Sequence, residues 1–361
     1  MPTLNRPVGG FCSGTKLMTL RGEVPVEGVR AGDKALTLSG VEAPLKPVAR
    51  VRHRRIDLSR HTAPILAAPV RVRAGAVEDG VPLRDLRVSP DHALSVEDDS
   101  GRRVLIPVLY LANGATILRE PEHGAVTYVT VSLERHDILM ADGMAAESGP
   151  GIADEKETGT VVQMRPRGTP APSPEPEPPP DYTPQQRDDL CAPLLLGDAA
   201  AAVHTRLLAR ARELGYAETD DAEVTVSAGE TVLPPLSATD RVFAYTVPPH
   251  TRELRLLSRS FVPVEANPAT GDARRLGVPV ARIVHDGTPI ALDDAAFGAG
   301  FLPPEPEGAA AWRWTTGDAR LALPMHDQPT TFELQIHLGW AHYWAPPPAP
   351  EQGAEVLPTT P

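Results

Sequence analysis

The order of hydrophobic and polar residues predicts short strands in the first part of the chain. Between residues 11 and 148, apolar and β-branched runs such as 88–96 and 126–133 are separated by glycines and other turn-forming residues. Runs of this length and composition are typical of β-strands joined by tight turns. This part of the chain is therefore predicted to be all β.

The second part of the chain combines one predicted helix with further strands. Apolar residues recur at helical spacing after Asp198, which can cap the helix, and Gly215 ends the pattern. Apolar and polar residues alternate over 332–338, as in a strand with one buried face. The Asp-Gly pair at 286–287 predicts a hairpin turn. These patterns predict a β-sandwich-like domain that carries one helix.

A proline-rich acidic segment separates the two parts. Residues 166–184 cannot donate hydrogen bonds at their prolines or bury much apolar area, which indicates an extended spacer. A chain of 361 residues is too long for one ordinary compact domain and suits two. The predicted organisation is an N-terminal tail at 1–9, a β domain at 10–150, a linker at 151–184, a sandwich-like domain at 185–344 and a disordered tail at 345–361.

The charge balance excludes two classes of partner. The formal net charge is −12, the sequence pI is near 5.4, and no extended stripe of lysine or arginine occurs. The one local basic run, at 50–55, alternates with apolar residues and indicates the solvated face of a strand. We therefore expect neither a nucleic-acid partner nor a membrane partner.

Cysteine usage and the N-terminus bound the chemistry and the location. Cys12 and Cys191 form no Cys-x-x-Cys pair, and no histidines cluster at zinc spacing, so neither a metal site nor a cofactor is expected. The N-terminus lacks the apolar core of a secretory signal, and no apolar run is long enough to span a bilayer. The default expectation is a cytoplasmic protein, with export by a route that lacks such a signal as the alternative.

Four short blocks carry the candidate chemistry of the first domain. They read Gly-Phe-Cys-Ser-Gly-Thr at 10–15, Ser-Pro-Asp-His at 89–92, Arg-His-Asp at 135–137 and Gly-Met-Ala-Ala-Glu-Ser at 143–148. In this order and at these separations they resemble the Hint (Hedgehog/intein) module of bacterial proteins, which cuts its own backbone through an N-terminal cysteine. The resemblance implies a horseshoe of β-strands over 10–150.

The resemblance also assigns roles to particular residues. Self-cleavage needs a thiol that attacks the preceding carbonyl, a histidine that protonates or polarises the scissile nitrogen, and a hydroxyl that binds the amide. By their places in the blocks, His92 would be this histidine and Ser89 would supply the hydroxyl. His136 or Asp137 would activate the second attack. Without the resemblance, His92 is interpreted as a polar residue that closes a turn.

The nucleophile position departs from the family pattern. Relatives open with Cys-Phe-x-x-Gly-Thr, whereas this chain has Gly10 in the first position and its cysteine at Cys12. In a strand, a shift of two residues displaces the sulfur by about 6–7 Å, beyond near-attack distance. Two hypotheses follow: a non-catalytic scaffold or binding module with Cys12 as a small buried residue, or autocatalytic cleavage by Cys12 assisted by His92. Splicing is not expected, because the last block ends in Glu147-Ser148 instead of His-Asn.

Three motifs of the second domain, at 254–263, 274–278 and 312–315, resemble a sandwich-like segment found beside bacterial Hint modules and some glycosyltransferases. These motifs carry no assigned chemistry. The main candidate surface of the domain is Trp312-Arg313-Trp314, where strand alternation places both indoles on one face. Exposed rings flanked by a charge could stack on a sugar, which would make this a glycan-binding surface. The alternative, which we prefer, is that the rings fill the core of an aromatic-poor domain. The sequence does not name a glycan or protein partner.

Overall fold

The computed structural model describes residues 9–38, 44–61, 64, 67–120, 124–152, 191–267, 270–307, 310–337, 339 and 341–348. The chain divides by its internal contacts into two compact units, residues 1–210 and residues 211–361. Both are mostly β, as predicted. Nearly all of the predicted linker, the N-terminal tail apart from Gly9, and the C-terminal tail beyond residue 348 lie outside the described residues.

The first unit is built from short antiparallel strands. In chain order they are β1 (Phe11–Cys12), β2 (Lys16–Thr19), β3 (Gly22–Pro25), β4 (Lys34–Leu36), β5 (Leu45–Asp57), β6 (Val70–Val72), β7 (Leu86–Val88), β8 (Ala93–Glu97), β9 (Arg103–Pro107), β10 (Ile117–Arg119), β11 (Ala125–Leu133), β12 (Ile138–Ala141) and β13 (Met144–Glu147). Glycines with positive φ, such as Gly14 and Gly22, lie in the turns between them, where a side chain would be strained.

One sheet joins these strands in the order β10-β6-β7-β1-β11-β5-β4-β2-β12-β13-β8-β9, with β3 paired to β2. The long strands β5 and β11 form its central ladder, in which Val129 lies opposite His53. The short strand β1 lies between β7 and β11, because Phe11 pairs with Val88 on one side and Val129 on the other. This order brings blocks that are distant in sequence to one place.

The burial pattern explains which side chains point inward. Phe11, Val88 and Val129 are buried together in the main core of the unit. The basic run lies in β5, where residues 52–55 are exposed, so the prediction that it marks the solvated face of a strand is confirmed.

The first helix is present over the predicted segment, but Asp198, its predicted cap, lies inside a 3-10 turn that precedes the helix. A 3-10 turn at Gly197–Ala200 leads into α1 (Ala201–Glu213), which ends before Gly215, a residue with φ of 86°. Val203 and Leu207 face inward, as the helical spacing predicts, and they join the core of the first unit. The predicted second domain begins at residue 185, whereas residues 191–210 pack with the first unit through these contacts.

The second unit contains the remaining strands and a short helix. These elements are β14 (Ala217–Thr219), β15 (Thr225–Ala228), β16 (Thr231–Leu233), β17 (Pro235–Ala238), β18 (Val242–Val247), β19 (Glu253–Leu257), α2 (Pro263–Ala266), β20 (Pro279–His285), β21 (Thr288–Ile290), β22 (Phe301–Glu307), β23 (Ala310–Thr315), β24 (Asp318–Ala322), β25 (Thr330–Ile336) and β26 (Tyr343–Ala345). A sheet of seven strands and a sheet of four strands share one apolar core, as expected for a sandwich.

Two local predictions for this unit are confirmed. Asp286 and Gly287 both have positive φ and join β20 to β21 as a hairpin. Phe332, Leu334 and Ile336 are buried along β25, whereas the predicted continuation at Leu338 lies outside the described residues. In the part of the chain that the structure describes, neither helix has the length and apolar character needed to cross a bilayer.

Candidate functional site

The first two blocks meet through the backbone of Gly10. Its N–H donates to Ser89 Oγ at 2.9 Å, and the Ser89 N–H donates to the Gly10 carbonyl at 2.9 Å. Ser89 directly follows β7 and begins a turn in which Pro90 occupies the second position, where proline is favoured. The His92 N–H closes this turn on the Ser89 carbonyl at 3.0 Å. The Ser-Pro-Asp-His sequence therefore builds a tight turn that presents both Ser89 and His92 to the start of β1.

The peptide bond between Gly9 and Gly10 is held at both of its polar ends. Thr130 Oγ1 donates to the Gly9 carbonyl oxygen at 3.0 Å, opposite the contact between the Gly10 N–H and Ser89. A donor at the carbonyl oxygen stabilises the charge that develops there during nucleophilic attack. The Ser89 hydroxyl lies at the nitrogen that must gain a proton when the C–N bond breaks. These are the two positions that cleavage of this bond would use.

His92 lies against the same peptide. A Cβ on Gly9 would come within 2.8 Å of His92 Nδ1, so the close approach of ring and backbone requires glycine at residue 9. The ring also packs edge-to-face on Phe11, with centroids 4.4 Å apart. The structure thus brings Ser89 and His92 together at the Gly9–Gly10 bond.

Burial sets the protonation state of this group of residues. It lowers the pKa of His92 to about 4, and the electrostatic interaction with Glu147 opposes this shift, while that with His136 acts in the same direction as burial. The imidazole of His92 is therefore neutral at pH 7. Burial also raises the pKa of Asp91 to about 6, although a hydrogen bond from Ser89 opposes the shift. Asp91 thus contacts the hydroxyl that contacts Gly10.

The nucleophile position itself holds no reactive group. Gly10 has no side chain, and a Cβ placed there would lie 3.0 Å from Tyr128 Cβ and 3.4 Å from Thr130 Oγ1. This is tight but requires the neighbouring side chains to move by only a few tenths of an ångström. A side chain on residue 10 would therefore begin beside the donor to the Gly9 carbonyl.

Cys12 is buried away from these residues. It packs in a small apolar cluster with Leu58, Ala67, Ala68, Val126 and Tyr128. Strand alternation turns its side chain to the face of β1 opposite that of Phe11, whose ring contacts His92. Burial raises the pKa of the thiol to about 12, so almost none of it is thiolate at pH 7. The structure does not bring Cys12 together with His92.

The last two blocks form a second polar cluster beside the first. The side chain of His136 is 0% exposed, and its Nε2 lies 3.3 Å from Glu147 Oε2. Glu147 Oε1 also accepts the Ala93 N–H at 2.8 Å. Burial opposes ionisation of Glu147, but the hydrogen bond with His136 and the electrostatic interactions with His92 and His136 lower its pKa overall. Glu147 therefore couples His136 electrostatically to His92.

Asp137 binds neighbouring side chains and backbone groups at the end of the β12–β13 hairpin. Its carboxylate forms an ion pair with Lys46 and accepts the Ile138 N–H, and its own N–H donates to Ser148 Oγ at 3.0 Å. The Ser148 N–H returns to the Asp137 carbonyl at 2.7 Å, which ties the ends of the β12–β13 hairpin together. Among the residues that the structure describes, no group of His, Cys, Asp or Glu is arranged to hold a metal ion.

Sequence reasoning missed two members of the site. Thr130 lies inside β11 and gives no signal in the sequence; only the register that sets Phe11 opposite Val129 places its hydroxyl at Gly9. Glu147 was noted only as a departure from the splicing pattern. Its place in the last block, beside two histidines of the other blocks, is the signal that could have found it.

The suggested glycan surface on the second unit needs correction. Trp312 and Trp314 are 8% and 5% exposed and belong to the core shared by the two sheets. Arg313 points between two aromatic rings and donates to the carbonyls of Leu302 and Leu292 at 2.6 and 2.7 Å. Stacking on a sugar needs an uncovered ring, whereas the rings of Trp312 and Trp314 are covered in the core and Arg313 is half-buried.

Comparison with known proteins finds similarity over part of the first unit. The family model described as Hint domain matches residues 9–150. The gp41-1 intein is a similar solved structure, with 13% identity and a TM-score of 0.24, covering 38% of this chain and 97% of that one. The bacterial intein-like domain from Clostridium thermocellum has 17% identity and a TM-score of 0.26, covering 38% and 96%. A search of curated proteins finds no match.

Proposed function

We propose that residues 9–150, which match the family model described as Hint domain, form a scaffold that does not cleave itself. The observation that carries the proposal is the environment of the Gly9–Gly10 bond. Ser89 and Thr130 bind its two ends and His92 lies beside it, but the residue that should supply the nucleophile is glycine.

The first chemical step explains why this one residue matters. In an acyl shift, a thiolate attacks the carbonyl carbon of the preceding residue, a C–S bond forms, the C–N bond breaks and the nitrogen leaves with a proton. Thr130 and Ser89 are placed to assist the carbonyl and the nitrogen. Without an atom to form the new bond at residue 10, these groups hold an amide that stays intact. The same contacts then serve to fix β1 in the sheet.

The Cys12 thiol is not placed to act as the nucleophile that residue 10 lacks. Its thiol is enclosed by apolar side chains and its pKa of about 12 leaves it protonated at neutral pH. The carbonyl that it would attack is that of Phe11, which lies inside the sheet opposite Val129 of β11 and Val88 of β7. A shift at that position would need the strand to open.

Intact mass tests the proposal directly. We expect the purified chain to keep its full mass, apart from loss of the initiator Met1, after days at pH 7.5 with dithiothreitol or hydroxylamine. Hydroxylamine is included because it captures thioesters and esters that a slow acyl shift would form. The matched control is Cys12→Ala, which should behave identically.

The position of any cut distinguishes the alternatives. A product that begins at Cys12 and disappears in Cys12→Ala would establish Cys12 as a nucleophile and overturn the scaffold proposal. A product that begins at Gly10 would overturn it as well, because cleavage would then proceed without a side chain at this position.

A further inference from the structure

Residues 191–210 pack on the first unit, although the match to the Hint domain model ends at residue 150. Residues 193–195 run beside β9, where Leu105 N–H donates to Pro193 O at 2.8 Å and Leu195 N–H donates to Leu105 O at 2.9 Å. This parallel bridge lies at the end of the sheet, since β9 pairs only with β8 among the described strands. The segment therefore covers an edge that would otherwise present unpaired backbone groups.

Apolar side chains extend this contact from strand to helix. Leu194 and Ala192 pack on the small cluster of Ala93, Leu105 and Ile138. From the helix α1 and the turn before it, Ala200, Val203 and Leu207 enter the main core of the unit, each at most 1% exposed.

Polar contacts fix the position of α1 on the first unit. His204 is buried and its Nε2 lies 3.0 Å from the Ala112 carbonyl oxygen, while Asn113 Nδ2 donates to the Leu207 carbonyl at 3.4 Å. Arg206 donates to the Glu97 carbonyl at 2.5 Å. A helix held through its buried face and by specific polar contacts is an integral part of the core that it covers.

The same segment also covers the polar cluster formed by His136 and Glu147. The Cys191 N–H donates to His136 Nδ1 at 3.3 Å, and Glu147 occupies the other ring nitrogen. The His136 side chain is fully buried in this arrangement. The residue that the family resemblance nominates for the second attack is thus enclosed by chain that lies after the spacer.

We propose that residues 191–210 are a clasp that completes the first unit and binds residues 9–152 through its own contacts, so that the chain remains one particle when the spacer is cut. The clasp is the partner of the β9 edge and of the groove that receives Val203 and Leu207. This inference concerns assembly and does not depend on whether the Gly9–Gly10 bond is cleaved.

The test uses the full chain with a recognition sequence for a site-specific protease in place of residues 172–178. After complete cutting, the two pieces are passed through size-exclusion chromatography at about 10 μM, a concentration at which a micromolar or lower dissociation constant keeps most pieces paired. We expect both pieces to elute in one peak at the position of the uncut chain. Elution in two separate peaks would overturn the proposal.

Two substitutions with the same added charge identify the contact. Val203→Asp places the carboxylate in the core, whereas Ala202→Asp places it on the exposed face of the same helix. After cutting, we expect Val203→Asp to separate the pieces and Ala202→Asp to leave them together. If both variants stay together, the clasp is not what holds the pieces; if both separate, the buried face is not the cause. Either result would contradict the proposal.

A chemical readout tests the clasp without disturbing the helix. Cys191→Pro removes the N–H that reaches His136 Nδ1, whereas Cys191→Ala keeps it. We expect diethylpyrocarbonate to modify His136 several-fold faster in Cys191→Pro than in Cys191→Ala, measured by peptide mass spectrometry. Equal rates in the two variants would show that the clasp does not enclose His136.

Discussion

Replacing Gly10 with cysteine is expected to give a chain that cleaves between residues 9 and 10 when a thiol is added. The new sulfur would start from a Cβ that lies beside Thr130 Oγ1, which donates to the Gly9 carbonyl. Ser89 Oγ already lies 2.9 Å from the nitrogen that must leave. The substitution therefore adds the one missing atom to an amide whose other contacts are in place.

The controls separate chemistry from packing. Gly10→Ala brings the same Cβ within 3.0 Å of Tyr128 Cβ without a sulfur, so it reports the steric cost, which we expect to be about 1 kcal/mol. Cys12→Ala in the background of Gly10→Cys excludes any contribution of the native thiol. Adding His92→Ala should slow cleavage by about 10²–10⁴-fold, the usual contribution of acid–base assistance.

The outcome is read as the fraction of shortened chain with time in dithiothreitol. If Gly10→Cys stays intact while its circular dichroism and melting temperature match those of Gly10→Ala, the arrangement around Gly9 would be unfit for catalysis, and the loss of function would extend beyond residue 10. If cleavage persists unchanged after His92→Ala, His92 would have no part in it.

The fold could be predicted from the sequence where periodicity is local. The alternation along β25 and the helical spacing of Val203 and Leu207 both identify which side chains are buried. What these patterns do not specify is the neighbour that covers each face. The helix was predicted correctly, but its buried face packs with the first unit, because long-range contacts and not sequence distance decide where a segment belongs.

The residues of the candidate site could likewise be predicted only where they lie close together in the sequence. Ser89 and His92 could be predicted because they share one short turn whose sequence is distinctive. Thr130 could not, because its role depends on the register between β1 and β11. The tryptophans illustrate the reverse case: Trp312 and Trp314 do share a face, but alternation cannot say whether that face meets water or the opposing sheet.

The first unit of the His92→Gln variant is expected to gain about 2 kcal/mol of stability relative to wild type when the pH falls from 7 to 5. In the folded wild type, burial lowers the pKa of His92 to about 4, whereas an unfolded histidine titrates near 6.5. Between these values the unfolded chain binds a proton that the folded chain does not. Stability contributed by neutral His92 is therefore lost as the pH falls, and the variant escapes this loss.

Asp91 has the opposite effect on the pH dependence of stability, so its variant is the matched comparison for His92→Gln. Its folded pKa of about 6 lies above the ordinary 3.8, so the folded chain binds the proton first and becomes more stable as the pH falls through 6. Asp91→Asn should therefore lose about 1 kcal/mol relative to wild type over the same range. Since the two effects oppose each other, wild type itself should change little, and the single variants should diverge on either side of it.

Hydrogen exchange of the buried amides in β11, measured by mass spectrometry and corrected for intrinsic rates, reports this unit alone. The four tryptophans all lie beyond residue 211, so their fluorescence follows the second unit as an internal reference. Glu147 remains ionised at pH 5, because its pKa is below its usual value, and therefore contributes little to the difference. If His92→Gln and Asp91→Asn showed the same pH dependence as wild type, neither group would be held in the protonation state that its burial implies.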